Sequence, residues 1–301
     1  MLRSALEALG PTNRVYSLAR AVRHSRSTAY WTGISLLPLE RRRRVLYRKY
    51  HGRDLRLDPP VRISEKVNWR IVHDRRPLLA WTCDKLRMKE YAAGFPGLEV
   101  PRTLWAGTDV GELAEMSFPE RWVLKPNHRS GLVHLGQGQP TRKELAVLTS
   151  GWLKDFQTAR LGEWAYGQAQ PCILAEEWIG DGDAVPTDYK FYVFDGVPAA
   201  IQVHTGRFGE YAKRFYRPDW TPVDGTDGPL APRPAALDEM LELAGALGAP
   251  FDFMRIDLFW TRGKVYFGET TPYPAGGLVQ VRPDSLDVEL GALWTLPDLH
   301  A

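Results

Sequence analysis

Cysteine is nearly missing from these 301 residues: Cys83 and Cys172 stand far apart and form no CxxC pair. That excludes a disulfide framework and offers no zinc-binding spacing. No apolar run approaches the length that spans a bilayer, and the opening MLRSALEALG lacks the basic-then-apolar order of a secretory signal. The expectation is a cytoplasmic protein. Neither the Walker pattern GxxxxGK[ST] nor the dinucleotide fingerprint GxGxxG occurs, and there is no internal repeat or low-complexity tract. What remains, at 44% hydrophobic and 25% charged residues, is a globular chain with core enough for one to three domains.

Charge is unevenly spread behind a net of +3: residues 1–60 hold thirteen Lys and Arg against four acids, a local +9, so the remainder carries −6. A basic end of this kind suits an anionic membrane surface, an acidic polymer or nucleic acid, and equally a solvated helix face. Residues 1–58 read as helical, with LERRRRVLYRKYHG stopping at a glycine before the breaker Asp58-Pro59-Pro60. A short helix begins at Ser64-Glu65-Lys66, and a clearer one spans 83–93. Strand patterns follow at 100–105, 121–125, 173–177, 190–194 and 200–204, with helices expected over 141–161 and 235–247. Mixed strands and helices without a regular βαβ repeat predict α+β layers. Residues 206–228 read as a long loop or a broken hairpin.

The most informative stretch is 253–277, FMRIDLFWTRGKVYFGETTPYPAGG. It reads as a hairpin turning near Gly263. Strand alternation sends Met254, Ile256 and Leu258 to a core and puts Arg255 and Asp257 on the other face. Glu269 and Thr271 share a face, and Asp257 and Glu269 come within a residue or two of opposite each other. Such a pair can hold one or two hard cations with phosphate and water completing the shell, or it can be an ordinary solvated hairpin edge. RWVLKPNHRSG (121–131) is a strand that delivers Lys125 to a polar turn, an arrangement that sets an ammonium and backbone N–H groups against phosphates. ILAEEWI (173–179) ends a strand in Glu176-Glu177. In DYKFYVFDG (188–196), Lys190 opens an apolar strand, where burial demands an anionic partner.

Taken in order, DKLRMK (84–89), VLKPNHRSG, ILAEEWI, DYKFYVFDG and RIDLFWTRGKVYFGETT (255–271) resemble the ATP-grasp superfamily. In particular they are similar to its TupA-like (teichuronopeptide-biosynthesis) branch, whose EKxxW segment corresponds to Glu65-Lys66-Val67-Asn68-Trp69. The resemblance covers roughly residues 60–301. It implies an ATP-grasp fold, two α+β subdomains clamping ATP, divided as 118–187 (nucleotide lid) and 188–301 (metal and substrate), after a basic helical region (1–60) and an α/β region (61–117). It implies Lys85, with Lys89 as the alternative, and Lys125 on the nucleotide phosphates, Ser130 and Gly131 closing over them, and Glu176 accepting from the adenine amino group. Glu177, Trp178 and Ile179 would read the ring edge, Asp188 the ribose, and Lys190 the γ-phosphate. Asp257 and Glu269 would ligate Mg2+, with Thr271 standing where many relatives have asparagine and so offering a weaker oxygen. Arg255 would stabilise the reaction intermediate. Arg207 and Arg214 would bind substrate or be loop surface charges.

The activity implied is an ATP-dependent carboxylate–amine ligase working through an acyl phosphate, with loop 126–138 as lid, in cell-surface polymer or specialised-metabolite chemistry. A phosphotransferase using the same site is the alternative within the fold. A non-catalytic module whose basic N-terminus meets an anionic partner is the alternative outside it, and no nucleic-acid partner is expected.

Overall fold

The computed structural model describes residues 30–155, 157–182, 184–205, 212–226 and 228–299. Among these residues ten strands form two sheets. The smaller contains β2 (Thr103–Gly107), β3 (Arg121–Pro126), β4 (His134–Gln137) and β5 (Ile173–Glu177) in the order β2-β5-β3-β4, all antiparallel. The larger contains β1 (Leu98–Glu99), β6 (Asp188–Phe194), β7 (Val197–Thr205), β8 (Ala212–Tyr216), β9 (Met254–Thr261) and β10 (Lys264–Thr271) in the order β1-β10-β9-β6-β7-β8. Only β1 on β10 runs parallel. Six α-helices that lie wholly within the described residues accompany them: α1 (Leu39–His51), α2 (Ile63–His73), α3 (Lys85–Ala92), α4 (Arg142–Leu148), α5 (Leu237–Gly248) and α6 (Asp284–Leu293); residues 30–35 are helical as well. The α+β architecture is the one the sequence predicts.

Local chemistry explains the boundaries. Asp84 caps α3 by accepting from the N–H groups of Leu86 and Arg87, both at 3.1 Å. Thr141 and Glu144 form a capping box on α4. The helix expected over 141–161 stops at Leu148, because Gly151 follows with φ 77° and turns the chain; a π-helical turn then occupies Gln157–Leu161. The strand expected at 100–105 lies instead at Thr103–Gly107, after Pro101. Of the stretch 206–228, residues 212–216 form β8, which pairs antiparallel with β7, while 206–211 and 227 lie outside the described residues.

Each sheet has its own core. Under the large sheet, Phe191, Val193, Ile256, Leu258, Val265 and Phe267 pack on Met240, Leu243 and Leu247 of α5. On its other face, Tyr192, Phe215 and Phe253 meet Ile63, Val67 and Ile71 of α2 and Leu286 and Leu290 of α6. The small sheet closes over Trp122, Leu124, Ile173 and Ala175 with Leu145 and Trp152. The stretch 61–117 is shared out, β1 joining the large sheet and β2 the small one. The chain therefore crosses between sheets twice, at 100–102 and at 178–187. The crossings are tied together: Arg102 N–H donates to Glu177 Oε1 at 2.7 Å, and Glu177 N–H donates to Arg102 O at 3.0 Å.

Candidate functional site

A cleft of about 440 Å³ opens between the sheets. Its small-sheet wall carries Val123, Lys125, Leu135 and Glu176, the turn after β3 adds Arg129, Ser130 and Gly131, and the second crossing adds Glu177, Trp178 and Ile179. Facing them are Asp188, Lys190, Asp257, Phe259 and Glu269 of the large sheet, with Lys85 from α3. Thus twelve of the residues named from sequence line one cavity: Lys85, Lys125, Ser130, Gly131, Glu176, Glu177, Trp178, Ile179, Asp188, Lys190, Asp257 and Glu269.

Register explains how the large sheet presents its charges. Glu269 pairs with Asp257, Asp257 with Lys190, Lys190 with Gln202, and Gln202 with Phe215, so these five stand in one row on one face. The hairpin turn is Arg262-Gly263, at φ 54° and 71°, a two-residue turn with both residues left-handed. Simple alternation from that turn would place Glu269 on the core face with Val265 and Phe267. A β-bulge between Phe267 and Glu269 inserts Gly268 and rotates Glu269 onto the face of Asp257. A Cβ on residue 268 would lie 2.8 Å from the Asp257 carbonyl oxygen and 3.0 Å from the Phe259 ring. Glycine is what fits there.

The charges are closely paired. Lys190 Nζ contacts Asp188 at 2.7 Å and Asp257. Arg255 donates to both oxygens of Asp257, at 2.6 and 2.7 Å, and reaches Glu269 at 3.2 Å and Thr271 Oγ1 at 3.1 Å. Burial opposes the Arg255 charge, but Asp257 and Glu269 outweigh it and hold the guanidinium above its ordinary range. Lys85 donates to the carbonyls of Asn127 and Arg129, at 3.4 and 2.7 Å, and burial pulls its ammonium downward with Glu269 opposing. Glu176 is buried between two ammonium groups, Lys125 at 2.5 Å and Lys89 at 2.9 Å. Burial would raise that carboxyl, yet the two lysines prevail and lower it.

The donor set suits a hard cation that brings part of its own shell. Among the described residues no cluster of three or more His, Cys, Asp or Glu can hold a metal by itself. Asp257 and Glu269 supply carboxylate oxygens side by side, and the Glu269 side chain, 30% exposed, faces the cleft. An ion there needs phosphate or water for its remaining positions, as Mg2+ commonly does.

Several expectations change. Thr271 is buried behind the cleft, donating to Glu269 Oε1 at 3.3 Å, so it orients the carboxylate from behind. Glu176 has its carboxylate committed to lysines. Lys89 stands behind Glu176, while Lys85 reaches the cleft. Arg214 pairs with Val203, whose row continues through Tyr189 to Leu258 on the core face; its guanidinium holds Gly228 O. Parity therefore points it away from Asp257 and Glu269. Arg207 lies outside the described residues. Asn127, missed from sequence, joins α3 to the turn after β3, accepting from Leu86 N–H at 3.0 Å and donating to Gln170 O at 2.8 Å. Its one signal was a polar residue beside Lys125.

Of the basic run at 41–44, Arg43 is buried, Arg42 is partly buried, and Arg41 and Arg44 are exposed. Arg42 donates to the carbonyls of Ala159, Ser35 and Leu37, and Arg44 to Leu55 O and Glu40. Arg43, fully buried, donates to Asn68 Oδ1 at 2.8 Å, Leu161 O at 3.1 Å and Gly276 O. Residues 1–29 lie outside the described part.

A family model described as TupA-like ATPgrasp matches residues 65–295. Comparison with curated proteins found no match. Solved structures similar to the chain include D-alanine–D-alanine ligase from Bacillus anthracis complexed with ATP (18% identity, TM-score 0.43, 72% of this chain and 65% of that one). The corresponding ligase from Helicobacter pylori aligns at 19% identity and TM-score 0.42, over 71% and 58% of the two chains. The ATP-grasp ligase PsnB complexed with minimal precursor aligns at 15% and 0.40, over 72% and 62%. The chain thus spans 58–65% of the length of these structures. At such identities and scores the family match carries the assignment.

Proposed function

The chain belongs to the TupA-like ATP-grasp family, and from that premise we propose that it is an ATP-dependent ligase that joins a carboxylate to an amine through an acyl phosphate. The observation that carries the reading is the row Glu269–Asp257–Lys190, opposed across one cleft by Lys85 and Lys125. A nucleotide-free binding module has no use for three ammonium groups lining the same cleft as a carboxylate pair.

In this reading the purine lies among Val123, Leu135, Ile179 and Phe259, with the backbone at 177–179 offering its polar edge and Asp188 meeting the ribose. Lys85 and Lys125 take the inner phosphates, and Lys190 moves from Asp257 to the γ-phosphate. Asp257 and Glu269 would hold magnesium, which supplies charge neutralisation on the triphosphate. Arg255, already fixed by Asp257, steadies the negative charge that builds during transfer.

A carboxylate oxygen of the first substrate attacks the γ-phosphorus, the bond to the β-phosphate oxygen breaks, and ADP leaves. The amine nitrogen of the second substrate then attacks the acyl carbonyl and phosphate departs, leaving an amide. Water must be kept from the acyl phosphate between the two steps, a task suited to the loop 126–138, whose carbonyls at Asn127 and Arg129 Lys85 already grips. Cell-surface polymer or specialised-metabolite chemistry is the setting that we assign.

The test is ADP release across a matrix of carboxylates and amines, with products identified by mass. A carboxylate that elicits ADP release, and an amine that converts the product to an amide, are expected. A stable phosphorylated product indifferent to any amine would assign the site to phosphotransfer instead.

A further inference from the structure

The turn after β3 is held by groups from far along the chain. Lys85 grips the carbonyls of Asn127 and Arg129. Arg129 donates to Gly151 O at 2.8 Å, and His128 Nε2 meets Leu153 O at 3.3 Å. Ser130 is held differently, through its hydroxyl: Gln157 Nε2 donates to Ser130 Oγ at 3.1 Å and, more weakly, to Ser130 O at 3.4 Å. Gln157 is 4% exposed, and its Oε1 is buried with no hydrogen-bond partner among the described residues. An amide that leaves its own oxygen unsatisfied is costly to bury, yet this one spends its donor on a residue of the cleft wall.

Gln157 opens the π-helical turn Gln157–Leu161, a form of helix that recurs at functional sites. The turn is braced from α1: Arg42 donates to Ala159 O at 2.8 Å and Arg43 to Leu161 O at 3.1 Å. A line of contact therefore runs from α1, which precedes the family-matched residues 65–295, through this turn to Gln157 and on to the cleft. Hydroxyl chemistry gives the last contact its direction. A serine hydroxyl has one hydrogen to donate and two lone pairs to offer. With the Gln157 amide donating to Oγ, the Ser130 hydrogen is left for an acceptor, and Ser130 is exposed in the cleft wall beside Gly131. An anionic oxygen is the acceptor that this polarity suits.

We infer that Gln157 is a positioning residue: by donating to Ser130 Oγ it fixes the Ser130 hydroxyl as a hydrogen-bond donor to a phosphate oxygen of the nucleotide. The inference rests on the nucleotide reading of the cleft, and it gives a part to a side chain that stands behind the cleft wall and not in it. No bond to Ser130 is made or broken. Its hydroxyl binds the phosphate chain, and Gln157 decides which way that hydroxyl points. Arg42 and Arg43 present Gln157 from a braced backbone, so α1 serves the nucleotide site at two removes.

The test needs no knowledge of the natural substrates. Affinity of the full chain with magnesium is measured by calorimetry for ATP and ADP, and by competition for adenosine. Gln157→Met keeps the volume and removes the donor; ATP and ADP are expected to bind about tenfold more weakly, with adenosine unchanged. In a Ser130→Ala background the same substitution is expected to alter ATP affinity by less than about twofold, because the hydroxyl it acts through is gone. Gln157→Glu, whose carboxylate takes the Ser130 hydrogen for itself, is expected to weaken ATP about a hundredfold while sparing adenosine. It supplies the measurement should Gln157→Met not fold. Equal losses for adenosine and ATP, or losses that simply add to those of Ser130→Ala, would reduce Gln157 to a structural part and overturn the inference. Unchanged ATP affinity in Gln157→Met or in Ser130→Ala would overturn it too. Failure of the nucleotide reading shows separately, as no ATP binding by the parent, and takes the inference with it.

Discussion

Asp257 is shared between Lys190 and Arg255, so a divalent ion arriving there has to displace at least one of them, and a γ-phosphate is the natural destination for Lys190. Glu269, partly open and held by weaker contacts, is the carboxylate free to commit first. Glu269→Gln is therefore expected to fold normally, lose the rise in melting temperature that ATP with magnesium gives the parent, and lower ADP release by about a hundredfold or more. Retention of both nucleotide responses would remove Glu269 from the site. The buried Glu163 makes a different prediction. A carboxyl raised from 4.5 to about 7 on folding binds more protons in the native state than in the unfolded one between those values. Its favourable contribution is full below the unfolded value and is lost as pH rises through 7, a swing of roughly 3 kcal/mol. Melting curves of the parent should thus fall relative to Glu163→Gln between about pH 5 and about pH 8; parallel curves would contradict the raised carboxyl.

The hairpin β9–β10 shows what an element adds to its residues. Deleting Gly268 removes the extra residue and leaves Glu269 opposite Asp257 by plain alternation, so the deletion variant should keep its melting response to ATP with magnesium; loss of that response would show that the bulge itself shapes the site. Gly268→Ala meets the Asp257 carbonyl oxygen and the Phe259 ring, an overpacking expected to cost about 1–3 kcal/mol in denaturant titration. Much of this element was legible: the turn at Gly263, the core positions Ile256 and Leu258, and the shared face of Arg255 and Asp257 follow from a period of two. The bulge was not, since a glycine inside a strand pattern states no direction of slip. The same limit left Arg214 open between substrate contact and surface charge, since its side depends on which of its strand's residues begins the ladder. The motifs were legible as text, whereas the engagement of Glu176 with Lys89 and Lys125 depends on α3 reaching across sequence to β5. Gln157 carried no signal at all, because only the fold brings it to Ser130. Another element result concerns α1: replacing Arg43 by Met strands the carbonyls of Leu161 and Gly276, and a loss of about 1–3 kcal/mol per stranded group is expected.

The whole molecule divides into two sheets with separate cores, so the cleft can change width without opening either core. ATP with magnesium is expected to reduce the radius of gyration in small-angle scattering and to slow hydrogen exchange over 126–138; an unchanged profile in both would argue for a preformed cleft. Within the basic run 41–44, Arg42 and Arg43 bind carbonyl oxygens of the fold, while Arg41 and Arg44 remain exposed. The paired crossings at 100–102 and 178–187, bonded to each other through Arg102 and Glu177, act as the spine of a book whose leaves are the two sheets. Points near a spine barely move as the leaves part, and points at the fore-edge move most. Adenosine, seated by the spine, should therefore bind about equally to the open and shut forms, while discrimination between ADP and ATP belongs to the outer margin where Lys190 and Glu269 meet the last phosphate.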